Sequence, residues 1–293
     1  MVSGGVICMK KADVFDIINI LLMLLVLIIV GAPLLYILSV SLSSNAAIAA
    51  GEVTIFPIGI NLDSYKEILS TAKVPLAYAN SIIYTLLSVI ISLFLVTITA
   101  FTLSRRELKG RSGILLLIAF TMFFNGGMIP FYLLIQNLGM MDTIWALVLP
   151  WAVPAYELML LKNYFENIPG EVYEAATIDG ASEYRILFQI FVPMSLPMLA
   201  TLVMFFTRTQ WNSYLVPLMY LSSPAKYPLQ VVLQEMLMEG QAKSSLETVE
   251  SAALNAEALK NATIVLSIIP ILIIYPFIQK YFVKGMYAGA VKG

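Results

Sequence analysis

Six apolar stretches dominate the sequence, and each is long enough to cross a bilayer as an α-helix, which takes about 20 mainly apolar residues. Charged residues lie mostly between these stretches. Several stretches contain proline, which membrane helices tolerate because neighbouring helices supply partners for the freed backbone groups. We therefore predict an all-α integral membrane protein with six transmembrane helices at residues 16–40, 76–103, 112–136, 143–161, 194–214 and 262–282.

The composition supports this prediction and weakens the case for an enzyme. Of the 293 residues, 60% are hydrophobic and only 12% are charged, about half the charged fraction of a soluble domain. The single cysteine, Cys8, excludes a disulfide framework or a thiolate metal site. The chain has no histidine, which is the commonest general base and metal ligand. We expect no catalytic residue, no metal site and, at a net charge of −1, no nucleic-acid partner.

Basic residues indicate how the helices are oriented, because cytoplasmic loops are enriched in Lys and Arg. Four basic residues lie within the short segment 105–111, which is therefore predicted to be cytoplasmic. With six spans, both termini are then cytoplasmic, and segments 41–75 and 216–260 are external. A surface helix is predicted at residues 229–237. The first apolar stretch is longer than the core of a cleavable signal peptide, so we interpret it as a retained helix.

The predicted cytoplasmic segment 163–193 has helical structure of its own. Pro169 is placed at a helix start, and Asp179–Gly180 is a turn signal because glycine adopts positive φ. A second short helix follows and ends at Pro193. Its predicted packing face consists of Ala181, Tyr184, Leu187, Phe188 and Phe191. A rigid hairpin of this kind can transmit force from a soluble partner, and an interfacial amphipathic helix without a partner fits the pattern equally well.

Within this segment, Glu174-Ala175-Ala176, then Gly180, then Ile190-Phe191-Val192-Pro193 resembles the EAA motif of ABC importer permeases. Val192 stands where that motif usually has leucine, a change that keeps the apolar character. The resemblance implies a type I importer (MetI-like) fold, with cytoplasmic coupling helices that contact an ATPase dimer. The coupling residues that it implies are Glu174, Ala175, Ala176, Asp179, Gly180, Ile190 and Pro193.

The chain has no Gly-x4-Gly-Lys-Ser/Thr loop, so ATP and Mg²⁺ are expected on a separate ATPase chain and no cofactor on this one. Further stretches are similar to MalG-like carbohydrate permeases of the LplC and YtcP branch. That family implies one permease domain over residues 1–293 in the bacterial cell membrane, a second homologous permease and an extracellular sugar-binding protein. The similar stretches are residues 78–81, 125–130, 142–147, 211–214, 275–282 and 289–293.

One cluster is a candidate for the sugar path. Arg208 lies in the fifth predicted span, where a charge costs about 2.5–3.5 kcal/mol unless it faces protein or water. Gln210, Trp211 and Asn212 follow it, and such side chains hydrogen-bond hydroxyls or stack on sugar rings. Arg208 is also suited to the carboxylate of an acidic sugar. Alternatively, Arg208 extends to the membrane surface or pairs with an acid of the partner permease.

Two other functions are consistent with parts of the sequence. An ABC permease for a non-sugar solute would share the EAA motif. An ion-coupled carrier or a membrane scaffold would not need the motif at all. A carrier is expected to keep acidic or histidine residues at mid-membrane depth. This chain has only Glu157, near the end of the fourth predicted span, which argues against a carrier.

Overall fold

The computed structural model describes residues 14–70, 73–246, 257–273 and 276. Every regular element among these residues is helical, which confirms the predicted all-α class. The described residues form two compact units, one within Met1–Ile68 and Met238–Leu266 and the other within Leu69–Leu237 and Ser267–Gly293.

The first unit contains a long helix that is apolar around its whole circumference. α1 (Val14–Ser41) has 28 residues, and its side chains from Ile17 to Val30 are 47–66% exposed. A helix that is apolar on all sides is typical of a membrane span. Two short helices follow, α2 (Asn45–Ala49) and α3 (Asp63–Ser70).

Serine hydroxyls fold the segment that follows α1. The Ser43 hydroxyl donates to the Ser39 carbonyl at 2.6 Å and accepts from the Ile58 N–H at 3.0 Å. The Ser41 hydroxyl lies 2.7 Å from the Tyr65 hydroxyl of α3. These bonds give the first part of the predicted external segment 41–75 a fixed conformation.

The second unit contains eleven further helices of the described residues, apart from the helix at residues 257–273, which both units share. In chain order they are α4 (Lys73–Ser104), α5 (Arg111–Phe123), α6 (Met128–Asn137), α7 (Trp145–Val148), α8 (Ala155–Glu166), α9 (Gly170–Ile178), α10 (Glu183–Ile186), α11 (Val192–Met194), α12 (Leu196–Trp211), α13 (Leu215–Tyr220) and α14 (Leu229–Leu246), of which the last continues into the first unit.

Its core lies where α4, α8 and α12 pack together. Phe101 of α4 and Phe165 of α8 meet edge to face, with ring centroids 6.3 Å apart. Phe191 completes the cluster at 5.1 Å from Phe101 and 5.6 Å from Phe165. Phe191 belongs to a π-helical turn, Leu187–Phe191, so this core anchors the end of segment 163–193. Other buried members are Val96, Ala100, Leu103, Leu158, Leu161, Leu199, Leu202 and Phe206.

Within the described residues, two helices are each long and apolar enough to cross a bilayer, Phe15–Ser41 and Lys73–Ser104. Two further candidate spans are bent pairs: α5 and α6 meet at 116°, and Glu183–Met194 meets α12 at 84°. The predicted third span is therefore divided at Gly127, which has a φ of +88°.

Two predicted helices differ in form from their expectation, and a third lies partly outside the described residues. The predicted fourth span consists of α7, a 3₁₀ turn and α8, because Pro150 and Pro154 interrupt α-helical hydrogen bonding. The predicted surface helix is present as α14, but its first turn is buried, and the Leu229 N–H donates to Ser81 of α4 at 2.8 Å. The predicted sixth span is helical over residues 257–273 and otherwise lies, except for residue 276, outside the described residues.

Candidate functional site

Residues 170–193 fold into a helical hairpin, which we name the EAA hairpin. Its turn lies at Gly180, where φ is +74°. The Gly180 N–H donates to the Thr177 carbonyl and the Ala181 N–H to the Ala176 carbonyl, both at 3.0 Å. This pair of bonds is the Schellman pattern that ends a helix with a left-handed residue. The sequence signal at Asp179–Gly180 thus corresponds to a real turn.

The outer surface of the hairpin combines acidic, small and apolar side chains. Glu174 and Ala175 are exposed, whereas Ala176 is buried. Ile178 and Tyr184 are 86% and 73% exposed on the two sides of the turn. The other predicted coupling residues are Asp179, Gly180 and Pro193, which are exposed, and Ile190, which is half-buried.

The second arm of the hairpin packs through part of the predicted face. Leu187 and Phe191 are buried as expected, and Ala181 is half-buried. Tyr184 and Phe188 were also expected to pack inward, but they are 73% and 44% exposed, and Ile186 is buried in addition. For Phe188 the reason is the π-helical turn Leu187–Phe191, in which hydrogen bonds join residues five apart, so the spacing of an α-helix no longer predicts the buried face.

The short turn between α4 and α5 contacts the hairpin through Arg105. The guanidinium carbon of Arg105 lies 3.0 Å from the centroid of the Tyr173 ring. The Tyr173 hydroxyl donates to the Glu183 carboxylate on the opposite arm. This hydrogen bond to a carboxylate raises the pKa of Tyr173 above its ordinary value of 10.0. The three residues form what we name the Arg105 clasp.

A second group of ions joins the neighbouring helix ends. Arg111 at the start of α5 pairs with Glu166 at the end of α8. Its Nε donates to the Leu103 carbonyl of α4 at 2.7 Å. Lys162 Nζ lies 2.7 Å from the other Glu166 oxygen. The ends of α4, α5 and α8 are therefore connected to one another.

A cavity of about 900 Å³ lies between the α4–α5 turn and the EAA hairpin. Glu174 lines it, together with all three residues of the Arg105 clasp. Sequence reasoning missed these contacts because they join residues far apart in the chain. The sequence contained one indication that these segments could touch: segments 105–111 and 163–193 were both assigned to the cytoplasmic side of the membrane.

The predicted path residues lie together at the end of α12, but they differ in accessibility. Arg208 and Asn212 are exposed, Gln210 is half-buried and Trp211 is 4% exposed. The Trp211 indole packs near Tyr78 and donates to the carbonyl of Ser267 at 3.2 Å. Its ring is therefore covered in this conformation. No carboxylate in the described part of the chain forms an ion pair with Arg208.

A polar contact not predicted from the sequence joins Asp142, just before the fourth predicted span, to the external segment 216–260. Asp142 accepts from the N–H groups of Ser222 and Ser223, each at 3.0 Å. Its other oxygen accepts from Ser223 Oγ at 2.7 Å and Lys226 Nζ at 2.6 Å. These bonds, led by that from Lys226, hold the pKa of Asp142 well below its usual range. We name this group the Asp142 clip.

Helix α4 binds the same turn from another side. Asn80 Nδ2 donates to the carbonyls of Ala225 and Tyr227 at 2.8 and 3.1 Å. The Tyr84 hydroxyl donates to the Lys226 carbonyl at 2.9 Å. The turn at residues 222–227 is thus held by side chains of two other segments.

Comparison with known proteins identifies the family. Residues 69–287 match the family of binding-protein-dependent transport system inner membrane components. The polygalacturonan/rhamnogalacturonan transport system permease protein YtcP of Bacillus subtilis is 37% identical over 97% of this chain and 100% of its own length. Protein LplC of the same organism is 39% identical over 97% of both chains.

A solved structure agrees with the sequence comparisons. A chain of a bacterial ABC transporter involved in the import of the acidic polysaccharide alginate superposes with a TM-score of 0.84 and 35% identity, covering 93% of this chain and 98% of that chain. The helical fold, the EAA motif and these similarities lead to one conclusion. This chain belongs to the binding-protein-dependent transport system inner membrane components, as a permease subunit of a carbohydrate-type ABC importer.

Proposed function

We propose that the EAA hairpin is the docking surface for a separate ATPase subunit, and that this chain forms half of the translocation pathway. The observation that carries the proposal is the exposure of Glu174 and Ala175 beside Ile178. A small alanine side chain lets a partner's backbone approach closely. Covering the Ile178 side chain in a groove would remove apolar surface from water, which favours docking by about 25 cal/mol per Å².

ATP hydrolysis belongs to the partner in this proposal. The sequence has no P-loop, so this chain binds neither ATP nor Mg²⁺ and has no catalytic residue of its own. The complete transporter contains a second homologous permease, an ATPase dimer and an extracellular sugar-binding protein. Closure of the ATPase dimer moves the hairpin, and the hairpin moves the membrane helices.

The hairpin and both termini lie on the cytoplasmic side of the bacterial inner membrane in this proposal. Its support is the agreement between charge and contacts. Segments 105–111 and 163–193, both assigned inside, touch through Arg105 and Arg111. The Asp142 clip joins the external segment 216–260 to the connection between the third and fourth predicted spans, which the order of six spans places on the same side.

The transported solute is an acidic oligosaccharide. Two of the similar proteins are named for the transport of acidic polymers. One belongs to an importer of alginate, which its description calls acidic, and the other is named for polygalacturonan, a polymer of galacturonic acid. Arg208 supplies an exposed guanidinium, which binds carboxylates in a bidentate manner. Gln210 and Asn212 supply amides next to it. Trp211 supports this helix end through its contact with Tyr78.

Docking is tested by co-purification of the ATPase with the tagged permease complex. Glu174→Gln is expected to lower ATPase recovery and uptake several-fold, because it removes a charge from the docking surface. Glu171→Gln is the matched control, since Glu171 is also exposed on α9. Unchanged recovery and uptake in both Glu174→Gln and Gly180→Pro chains would contradict the docking proposal.

The solute is tested by uptake into vesicles that contain ATP. Arg208→Gln is expected to lower uptake of oligogalacturonate while leaving a neutral oligosaccharide unaffected, and Arg208→Lys to retain part of the uptake. Equal uptake of oligogalacturonate by the wild-type and Arg208→Gln transporters would exclude Arg208 as the carboxylate-binding residue.

A further inference from the structure

The Arg105 clasp closes the two arms of the EAA hairpin and attaches them to the membrane helix α4. Tyr173 lies on the first arm and Glu183 on the second, and their hydrogen bond crosses the Gly180 turn. Arg105 follows directly after α4 and covers the face of the Tyr173 ring. A guanidinium is attracted to the negative face of an aromatic ring, so this contact is held by charge as well as by packing.

Helix α4 is well placed to receive a movement of the hairpin. It has 32 residues, and its final turns are buried in the core through Phe101 and Leu103. The Arg111 contacts to Leu103 and Glu166 connect the end of α4 to α5 and α8. A displacement of Tyr173 therefore acts on a rigid group of three helix ends, rather than on a free loop.

We propose that Arg105, Tyr173 and Glu183 are positioning residues that transmit hairpin movement to α4, which makes the α4–α5 turn a second coupling element beside the EAA hairpin. This proposal rests on the proposed docking of an ATPase at the hairpin. The hairpin is joined to α12 through the chain, and the clasp gives it a separate attachment to α4. Both helices then move together when the ATPase closes.

Arg106 provides the matched control for Arg105. It is the adjacent residue and carries the same charge. It is exposed and lines the same cavity. It has neither a ring contact nor an ion pair in the described part of the chain. Removing its charge changes the local field without opening the clasp.

The experiment measures sugar uptake and ATP hydrolysis by the complete transporter in proteoliposomes, together with ATPase co-purification. Arg105→Gln and Tyr173→Phe are expected to keep normal ATPase recovery but to lower the uptake per ATP hydrolysed by about threefold to tenfold, the usual range for residues that carry coupling. Arg106→Gln is expected to keep the wild-type ratio. Arg105→Lys is expected to restore part of the coupling, since an ammonium also binds a ring face.

Two results would contradict the proposal that the Arg105 clasp transmits hairpin movement to α4. One is an Arg105→Gln transporter whose uptake per ATP equals that of Arg106→Gln. The other is a Tyr173→Phe transporter with wild-type coupling, because Tyr173→Phe keeps the ring and loses only the bond to Glu183. If the wild-type chain itself recovers no ATPase, the proposed docking fails instead, so the two failures are distinguishable.

Discussion

The EAA hairpin and the Asp142 clip are two contact regions of the same unit, and they are built in different ways. At the clip, one carboxylate collects hydrogen bonds from two backbone N–H groups, a hydroxyl and an ammonium. At the hairpin, attachment depends on a buried ring, Phe191, and on the side-chain contacts of Arg105 and Tyr173. The outer surface of the hairpin remains exposed.

The difference shows how one unit can contain a fixed end and a movable end. Backbone groups that converge on one carboxylate define a single geometry, because any displacement breaks several bonds together. A hairpin held by a ring in a hydrophobic core can tilt as one body while its polar surface contacts change. Substitutions in the two regions are therefore expected to affect different properties.

The largest expected effect is on the anchor of the hairpin. Phe191 is 3% exposed and packs against Phe101 and Phe165. Phe191→Ala is expected to lower the free energy of unfolding by about 3–5 kcal/mol, because it leaves a cavity in the core. Thermal unfolding in detergent measures this loss. Phe188→Ala is the control and should cost less than about 1 kcal/mol, since Phe188 is 44% exposed. Equal losses would contradict the assignment of Phe191 as the anchor.

The next effect is on the clip. Asp142→Ala removes both carboxylate oxygens, leaving only the backbone carbonyl to accept from Lys226, and it places alanine at a φ of +57°, which alanine adopts with strain. We expect the midpoint of thermal unfolding to fall by a few degrees and protease cleavage near residues 222–227 to become faster. Asp142→Asn should show a smaller change, because its amide oxygen can accept from both backbone N–H groups and asparagine tolerates positive φ. Unchanged protease cleavage in both variants would show that the Asp142 clip does not fix the turn at residues 222–227.

A smaller effect is expected at the hairpin turn. Gly180 has a φ of +74° and open space around its Cα, so Gly180→Ala adds backbone strain without a clash. The expected loss is about 1–2 kcal/mol. Gly170→Ala, at the start of α9, also meets no neighbouring atom, and it should be neutral or slightly stabilising. Thermal unfolding compares the two variants, and a stabilised Gly180→Ala chain would show that the turn is not left-handed in solution.

Local sequence rules predicted the parts of the site that depend on neighbouring residues. The apolar run of α4 and the turn at Gly180 follow from composition and from the φ preference of glycine. The EAA pattern located the hairpin. The buried face of the second arm was predicted only in part: Leu187 and Phe191 are buried, whereas Phe188 is exposed because a π-helical turn before Pro193 changes the spacing on which the prediction depended.

Long-range contacts lay beyond such rules. Nothing in the sequence near Arg105 indicates that its guanidinium rests on Tyr173, or that Asp142 accepts from Ser222. In the predicted six-span topology, both partners of each contact lie on the same side of the membrane. The topology therefore limited which segments could touch. The packing of the membrane helices then determined which residues of those segments meet.

The smallest expected effect is the pH dependence of the clip between about pH 5 and pH 8. A carboxyl group whose pKa is lower in the folded chain stabilises it fully above the unfolded pKa, and the contribution is lost as the pH falls toward the folded pKa. The ordinary value for Asp142 is 3.8, and its pKa in the folded chain is well below that. The difference in unfolding midpoint between the wild-type and Asp142→Asn chains should therefore stay constant from pH 8 to pH 5 and decrease only below about pH 4. A difference that stays unchanged from pH 5 down to about pH 2 would show that Lys226 and the serines do not hold the carboxylate, and the outer end would then be no more fixed than the hairpin.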